Sequence, residues 1–297
     1  MNRQRSEKAV TLMEHISRGE KLLESRGLDP GEAAAVFAEA SGITPALIHL
    51  EGKSYPARKT LSSYYRLIRA RRARMPLQYA SGRAFFFGLE FRVTEDTLIP
   101  RPETEILAEK ALEHLNLTGG GRVLELGSGC GNIAIALAVN SDAELIAVEK
   151  SPSALETARV NAASHGVSGR VRFLEGDMLE LSNVLSGEVQ GSFDLLISNP
   201  PYVSEAEYGE LEEEVRKEPP GALLAGSDGL RYIKPVLEAA PSLVKPGGAV
   251  FLETSCFHRE PVMEHVSRIE GISSPAYLKD YSGKDRVFTC RIAETYS

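Results

Sequence analysis

Residues 124–138 read LELGSGCGNIAIALA, in which a short apolar run gives way to glycines and then to a helical pattern. Gly127, Gly129 and Gly131 fall between the predicted strand and the predicted helix. Glycines at such a turn let the backbone approach a ligand and adopt positive φ. Their GxGxG spacing differs from the GxGxxG that leaves room for a pyrophosphate. A tight strand-to-helix turn would also explain these glycines, so the stretch alone does not establish a binding site.

The chain beyond this stretch continues the alternation of strand and helix. Apolar runs of strand length occur in ELIAVEK, VRFLEGD, FDLLISN, GAVFLET and DRVFTCRIA, and helical patterns such as SALETARVNAASHG and LRYIKPVLEAAPSLV separate most of them. Strands joined by helices of this length pair in parallel, so residues 104–297 are predicted to form an α/β domain with a doubly wound sheet. Ligands bind such sheets at the carboxyl ends of the strands.

Two acidic residues follow the next two predicted strands. Glu149 ends ELIAVEK, where a carboxylate can accept hydrogen bonds from both hydroxyls of a ribose. Asp177 ends VRFLEGD, where it can meet an adenine amino group with Met178 against the ring. Taken singly, Glu149 is explained equally well as a solvated carboxylate, and Asp177 is explained better as a helix cap. Together with the glycines they indicate an adenosine ligand without phosphates, for which S-adenosylmethionine is the obvious candidate.

The fourth predicted strand ends in Asn199-Pro200-Pro201-Tyr202. The prolines fix φ and lack N–H groups, so they hold the carbonyls of Asn199 and Pro200 rigidly and without local donors. The Asn199 side-chain carbonyl is a further acceptor, and Tyr202 offers a flat face. This arrangement suits a planar –NH2 group, either a primary amide or the exocyclic amine of adenine or cytosine. A rigid strand exit is the structural alternative.

The predicted chemistry needs little besides orientation. An amide nitrogen is a poor nucleophile, and acceptors on its protons can orient it towards a methyl group that a sulfonium already activates. No metal is expected, because the six histidines lack ligand spacing. Cys130 stands where the glycine loop needs a small residue, and we do not expect it to act as a nucleophile.

The N-terminal part of the chain differs in character. Residues 1–75 have helical periodicity and predict a bundle of about four or five helices, and residues 76–103 predict a β-hairpin linker. The fourth helix is basic, which fits either a solvated face or a docking surface for an acidic partner. Its arginines are Arg66, Arg69, Arg71, Arg72 and Arg74.

Length and composition narrow the class of protein. The 297 residues suit two domains, and the net charge of −7 argues against a generic nucleic-acid binder. The three cysteines show no pairing pattern, which is typical of reduced thiols. The polar start of the chain does not resemble a signal peptide, and no run reaches the roughly 20 apolar residues of a membrane helix. A cytoplasmic protein is expected.

These residues resemble the PrmC/HemK class of protein N5-glutamine methyltransferases, and the resemblance covers nearly the whole chain. It implies a Rossmann-like class I methyltransferase domain with a mostly parallel seven-stranded sheet, behind a helical domain that docks the substrate protein. It also implies methylation of the glutamine in the Gly-Gly-Gln motif of peptide chain release factors, with S-adenosylhomocysteine as product. The most specific stretches are TLIPRPETE (97–105), LELGSGCGNIAIALA (124–138), FDLLISNPPYV (193–203), EPPGALLAGSDGL (218–230) and GKDRVF (283–288).

The resemblance also implies roles for single residues. Asn199, Pro200 and Tyr202 are the expected catalytic residues, and with Pro201 they would grip the glutamine amide. The segment 100–105 would close over the active site, although Arg101 is explained equally well by an ion pair with Glu103. The residues expected to bind S-adenosylmethionine are Gly127, Ser128, Gly129, Cys130, Gly131, Glu149 (ribose), Asp177 and Met178 (adenine), and Asn199.

Two departures from the family pattern and three competing functions remain. Members often have an aromatic residue where Met178 stands, and Glu-Ile-Gly where this chain has Glu253-Thr254-Ser255. The same pocket could serve a ribosomal-protein glutamine or an amine in nucleic acid, and the acidic net charge counts against the latter. A non-catalytic scaffold would need no acceptors for an amine.

Overall fold

A computed structural model describes residues 10–48, 50–187 and 191–294, so the polar start of the chain at residues 1–9 lies outside the described part. The chain divides into two compact units, residues 1–82 and 83–297. The segment 76–103, predicted as a linker, is shared between them, because a short helix belongs to the first unit and the hairpin to the second. No helix in the described ranges is long and apolar enough to cross a membrane.

The first unit is helical, as its periodicity predicts. Leu12, Ile16, Phe37, Tyr64 and Leu67 recur at helical spacing within their helices, and all are buried in its core. Its helices are α1 (Leu12–Glu24), α2 (Glu32–Ser41), α3 (Pro45–Ile48), α4 (Arg58–Arg72) and α5 (Leu77–Ser81).

The basic residues of α4 hold the first unit together. Arg71 is buried and forms an ion pair with Glu32, with Arg71 Nε 2.7 Å from Glu32 Oε2. Arg66 donates to the backbone carbonyl of Ala80 at 2.7 Å. Arg74, which follows α4, donates to a backbone carbonyl before α2. The charge of Arg71 is therefore compensated inside the unit, whereas Arg66 and Arg74 keep their charge while they donate to backbone carbonyls.

The second unit contains a seven-stranded sheet in the order β5-β4-β3-β6-β7-β9-β8. Strands β3 to β7 are parallel, whereas β9 is antiparallel to both of its neighbours. This confirms the predicted doubly wound sheet, whose strand order reverses between β3 and β6. The elements are β1 (Arg83–Phe86), β2 (Leu89–Arg92), α6 (Pro102–Thr118), β3 (Arg122–Leu126), α7 (Asn132–Asn140), β4 (Glu144–Glu149), α8 (Pro152–Ser164), β5 (Val171–Glu175), α9 (Leu181–Val184), β6 (Phe193–Ser198), α10 (Glu205–Glu210), α11 (Ile233–Leu243), β7 (Val244–Glu253), α12 (Arg259–Val266), β8 (Ile272–Lys279) and β9 (Asp285–Ile292).

The central strands are buried on both faces, which explains why they are continuously apolar. Successive residues point to opposite sides, so that Leu195 and Ile197 join the core under α6 and α7 while Leu196 joins the core under α11 and α12. Strand β8 was not predicted, because its ISSPAYLK is polar and contains a proline. Both features are usual at the edge of a sheet.

One amide joins the hairpin β1–β2 to the rest of the second unit, beside bonds from Glu105 and His165 to the hairpin backbone. Asn161, buried in α8, accepts from the Arg92 N–H at 2.8 Å and donates to the Arg92 carbonyl at 3.0 Å. It also donates to the Cys130 carbonyl at 2.9 Å, inside the glycine loop. A single side chain therefore connects the hairpin, a helix and the loop that follows β3.

Replacing this amide should destabilise the second unit. Asn161→Ala removes the partner of one buried backbone carbonyl and of two half-buried backbone groups, and we expect the free energy of unfolding to fall by about 1–3 kcal/mol. Urea denaturation measures the loss. The control is Asn140→Ala, which removes one bond at the exposed end of α7. Equal stability of the two variants would contradict the bridging role.

Candidate active site

The carboxyl ends of β3, β4, β5 and β6 surround one cavity of about 250 Å³. The residues predicted at these four strand ends are brought together, since the strands are parallel and neighbouring. The cavity is lined by Asp96, Leu98, Gly127, Gly129, Val148, Glu149, Lys150, Ser151, Ala154, Gly176, Asp177, Met178, Asn199, Pro201, Pro219, Gly221, Ala222 and Tyr232.

The glycine loop and Glu149 form one wall. Glu149 accepts from the Gly129 N–H through Oε2 and from the Ser151 N–H through Oε1, both at 2.8 Å. Each carboxylate oxygen keeps acceptor capacity for a further donor such as a ribose hydroxyl. Gly127 has φ +75°, and a Cβ there would lie 2.8 Å from Met178 Cε. The positive φ therefore favours glycine, and a side chain there would also have to displace the flexible end of Met178.

Three residues of the glycine loop that were predicted to bind cofactor, Ser128, Cys130 and Gly131, do not line the cavity. Ser128 and Cys130 are buried, and burial raises the pKa of the Cys130 thiol to about 12. A Cβ on Gly131 would meet the side chains of Ile135 and Ala158. These positions support the loop from inside the core, because a tight turn can present only some of its residues to one side.

Asp177 lines the cavity, and its carboxylate is hydrogen-bonded to two donors of the chain. Its carboxylate accepts from Lys150 Nζ at 2.8 Å and from the Leu179 N–H at 2.9 Å. Partial burial opposes ionisation, but these two donors prevail and lower the pKa of Asp177 below its ordinary value. The side chain therefore meets a ligand as an acceptor.

The side chain of Asn199 has a fixed orientation. Its Nδ2 donates to Thr104 Oγ1 at 3.1 Å, and Thr104 is buried in the first turn of α6. No donor in the described part of the chain bonds Asn199 Oδ1. In the same ranges, the backbone carbonyls of Asn199 and Pro200 also accept no hydrogen bond. These three acceptors therefore have no donor among the described residues; Asn199 and Pro201 line the cavity, whereas Pro200 and Tyr202 do not.

Tyr202 is anchored through its hydroxyl. The hydroxyl donates to Glu253 Oε1 at 3.1 Å, and the ring packs against the core beneath the sheet. Burial raises the pKa of Tyr202, so that the hydroxyl keeps its proton. Glu253 ends β7 and is 1% exposed. Its burial raises the pKa of the carboxyl, against the opposing effects of the Thr104 and Tyr202 hydroxyls.

Arg101 does not form the ion pair with Glu103 that was one of the two explanations offered for it from the sequence. Its guanidinium binds Glu218, a buried carboxylate that also accepts from the Ile99 N–H at 3.0 Å. The residues next to this contact, Leu98 and Pro219, line the cavity. Glu218 therefore joins two segments of the cavity wall that are distant in sequence.

Known proteins resemble the chain over most of its length. Residues 117–275 match the methyltransferase domain family. The release factor glutamine methyltransferase of Chlorobaculum tepidum is 38% identical over 87% of this chain and 88% of the relative. The chain belongs to the release factor glutamine methyltransferase family.

Two further comparisons agree with this membership. The release factor glutamine methyltransferase of Moorella thermoacetica is 34% identical and covers 94% of this chain and 98% of the relative. A solved methyltransferase from Pyrococcus furiosus, 23% identical, superposes with a TM-score of 0.51 over 75% of this chain and 98% of that structure. The second similarity shows the Rossmann-like fold alone.

The methyltransferase family implies S-adenosylmethionine, and the cavity fits that ligand. A Cβ built on Gly129 would meet nothing within 4 Å, so the loop leaves open space where a ligand can approach the backbone. Glu149 retains acceptors beside this space, and Asp177 lies at the next strand end. Gly127, Gly129, Glu149, Asp177 and Met178 would hold the adenosine part.

The cavity is also lined by Tyr232 and by the segment 219–222, neither of which was predicted from the sequence to be part of the site. The segment lies in a stretch that carries the resemblance, yet no chemical pattern marked its position. Tyr232 places an aromatic residue in the same cavity as Met178, where other members often have an aromatic beside the aspartate.

The DGL stretch has a packing role behind the active site. Gly229 has φ +73°, and a Cβ there would lie 2.6 Å from the Tyr202 carbonyl oxygen and from His258 Nε2. The methyltransferase therefore requires glycine at this position, because any side chain would displace the backbone that carries the tyrosine.

Glu125 is a buried acid behind the glycine loop that the sequence interpretation did not single out. Its Oε2 accepts from the Ala134 N–H at 3.1 Å, and its Oε1 has no partner in the described ranges. Burial, with a further contribution from the charge of Glu149, raises the pKa of Glu125 to about 8.

This raised pKa predicts a pH-dependent stability. Between its ordinary pKa of 4.5 and about 8, folded Glu125 keeps a proton that the unfolded chain releases, so stability falls as pH rises. Glu125→Gln removes this contribution. The free energy of unfolding of the variant, relative to the native chain, should rise by up to about 1.4 kcal/mol per pH unit across this interval. Urea denaturation at several pH values tests it, and parallel curves would contradict the assignment.

Proposed function

We propose that this chain transfers a methyl group from S-adenosylmethionine to the side-chain amide nitrogen (N5) of the glutamine in the Gly-Gly-Gln motif of peptide chain release factors, leaving S-adenosylhomocysteine. The observation that carries the proposal is the fixed amide of Asn199, whose Nδ2 is held by Thr104 while its Oδ1 has no donor from the described residues. A free acceptor fixed in this way suits the N–H of a primary amide. Family membership supports the choice of a release-factor glutamine.

The chain's own residues bind and orient the amide. Asn199 Oδ1 and the carbonyls of Asn199 and Pro200 accept its N–H groups, and the Tyr202 ring forms a wall for its planar group. When bound, S-adenosylmethionine supplies a methyl group activated by its sulfonium. What the protein adds is the alignment of a weakly nucleophilic nitrogen, which gives up one proton as it gains the methyl.

The proposed partner is the release factor itself, as protein substrate, with residues 1–75 contributing to docking. Stable nucleic-acid binding is not part of the proposal, in keeping with the net charge of −7. The proposed location is the cytoplasm, where translation is terminated.

Labelled S-adenosylmethionine tests the substrate assignment. The chain is incubated in parallel with an intact release factor, the same factor with its Gly-Gly-Gln glutamine replaced by alanine, ribosomal protein, and DNA. Label is expected on the intact factor only. Label on the alanine factor, on ribosomal protein or on DNA, with none that depends on the glutamine, would overturn the proposal.

Asn199→Ala should abolish transfer, because the substrate nitrogen loses its side-chain acceptor. The dissociation constant for S-adenosylmethionine should rise only modestly, since Asn199 is one of several residues lining the cavity. Transfer to the release factor and calorimetric binding measure the two effects. Asn183→Ala, at an exposed position in α9, is the control. Unchanged turnover in Asn199→Ala would show that the amide grip is not the mechanism.

Tyr232→Leu should weaken binding of the adenosine part. Stacking of a base on an aromatic ring contributes about 1–3 kcal/mol, so we expect a rise in the dissociation constant of roughly tenfold or more. Calorimetry with S-adenosylhomocysteine measures it, and Tyr281→Leu serves as control because Tyr281 is exposed and does not line the cavity. Equal affinity of both variants would exclude stacking on Tyr232.

A further inference from the structure

Two aromatic side chains are exposed beside the strand end that carries Asn199. Phe257 is 78% exposed in the loop after β7, and Tyr281 is 84% exposed in the loop that joins β8 to β9. Strand β7 pairs with β6, and β9 pairs with β7 in the antiparallel direction. The end of β7 and the start of β9 therefore lie at the same edge of the sheet as Asn199. Neighbouring strands are about 4.8 Å apart, so β9 begins about 10 Å from the end of β6.

The loop that carries Phe257 is fixed on both sides of the aromatic residue. Before it, the N–H of the buried Thr254 donates to the Arg286 carbonyl at 2.9 Å. After it, His258 is buried and lies against Gly229. The exposed ring is therefore carried by a backbone that its neighbours hold in place.

The loop that carries Tyr281 is held by Asp280. The Asp280 carboxylate accepts from the Ser282 and Lys284 N–H groups, both at 2.9 Å. The Tyr281 hydroxyl donates to Glu109 Oε2 at 3.3 Å, which places the ring beside α6. This second exposed ring therefore also has a defined position.

The two loops flank the edge of the sheet from opposite faces. Tyr281 lies beside α6 and Phe257 directly precedes α12, and these helices cover different faces of the sheet. An ion pair joins the start of α12 to the start of β9, with Arg259 Nη1 2.8 Å from Asp285 Oδ2. We call Phe257 and Tyr281 the aromatic rim, since they stand on either side of the strand ends next to the site.

The aromatic rim lies on the side of the site that the cofactor leaves open. The cavity is lined from the ends of β3, β4, β5 and β6 and from nearby loops, and no described residue of 253–258 or 280–286 lines it. Tyr202 turns its hydroxyl towards the same side, to Glu253 at the end of β7. Because a glutamine side chain is short, a main chain that brings one to Asn199 must pass over the neighbouring strand ends.

We propose that the aromatic rim is a docking surface for the release-factor chain that flanks the Gly-Gly-Gln motif, with Phe257 and Tyr281 as its anchors. This inference rests on the proposed function and deepens it, because it assigns a surface of the second unit to the substrate protein. A single exposed aromatic residue is ordinary on a protein surface. Two of them, on fixed loops that flank the strand ends beside the amide acceptors, form a continuation of the site. Aromatic side chains are enriched at the centres of protein interfaces, where a few residues dominate binding.

Substitutions in the full chain test the docking surface. Phe257→Ala and Tyr281→Ala each remove one ring, whereas Tyr281→Phe removes only the hydroxyl that bonds Glu109. The matched control is Leu117→Ala, since Leu117 is 87% exposed at the opposite end of α6 from Thr104. Steady-state transfer gives kcat and KM for the intact release factor. Calorimetry gives the dissociation constants of S-adenosylhomocysteine and, in its presence, of the release factor.

Each alanine variant should raise the KM and the dissociation constant for the release factor roughly 10-fold, as for an anchor residue of a protein interface. The double variant should raise them roughly 100-fold, because the two rings lie on separate loops. We expect kcat and the dissociation constant for S-adenosylhomocysteine to change less than about twofold, since the rim does not line the cavity. Tyr281→Phe and Leu117→Ala should stay close to the native values.

Native affinity for the release factor in both alanine variants, beside an active native chain, would overturn the docking surface and leave the proposed function intact. A fall in kcat or in cofactor affinity without a change in release-factor affinity would also overturn it. So would sedimentation showing that the substitutions only dissociate a dimer of this chain. A native chain that neither binds nor methylates the release factor would contradict the proposed function, and the docking surface with it.

Discussion

Most polar groups at the carboxyl edge of the parallel sheet find hydrogen-bond partners in other segments of the chain, as buried and half-buried polar groups usually do. The Gly129 N–H is satisfied by Glu149, and the Ile99 N–H by Glu218. The Asn199 NH2 is satisfied by Thr104. The groups without a partner in the described ranges are acceptors, Asn199 Oδ1 and two backbone carbonyls beside it. This group of unpartnered acceptors fits the primary amide that is proposed as the substrate.

The same constraint explains how distant segments shape the cavity. Asn161 joins the hairpin to the glycine loop. Glu218 joins the residues before α6 to the segment 219–222, which lines the cavity. Each link is a buried side chain that bonds backbone of another segment. The loops around the cavity are therefore held in place by polar bonds as well as by apolar packing.

The sequence predicted the parts of the site that depend on local order. Glycines after β3, acids after β4 and β5, and Asn-Pro-Pro-Tyr after β6 each follow an apolar run, and parallel strands bring such ends to one edge. Thr104 and Glu218 lie in stretches that carry the family resemblance, but the sequence did not predict their contacts or that of Glu253, because these join positions about 50 to 120 residues apart and leave no local pattern. Strand β8 was missed for a related reason, since an edge strand needs few apolar residues.

At the two departures from the family pattern, the side chains are accommodated by their surroundings. Met178 packs on the core and covers Gly127, while Tyr232 supplies an aromatic residue to the cavity from another segment. In Glu253-Thr254-Ser255, Thr254 is buried and its hydroxyl donates to the Tyr277 hydroxyl at 3.4 Å, and the Ser255 hydroxyl accepts from the Phe257 N–H. These polar side chains have partners in the loop and in β8. Glu253 itself is bonded by the Tyr202 hydroxyl.

A crystal structure of the chain with S-adenosylhomocysteine and a release factor would show directly how the amide is bound. The glutamine side-chain nitrogen of the Gly-Gly-Gln motif should lie within hydrogen-bond distance of Asn199 Oδ1 and of the Pro200 carbonyl oxygen, against the Tyr202 ring. Thr104 should still accept from Asn199 Nδ2. A glutamine bound away from these acceptors, or an Asn199 that turns its NH2 to the substrate, would contradict the mechanism.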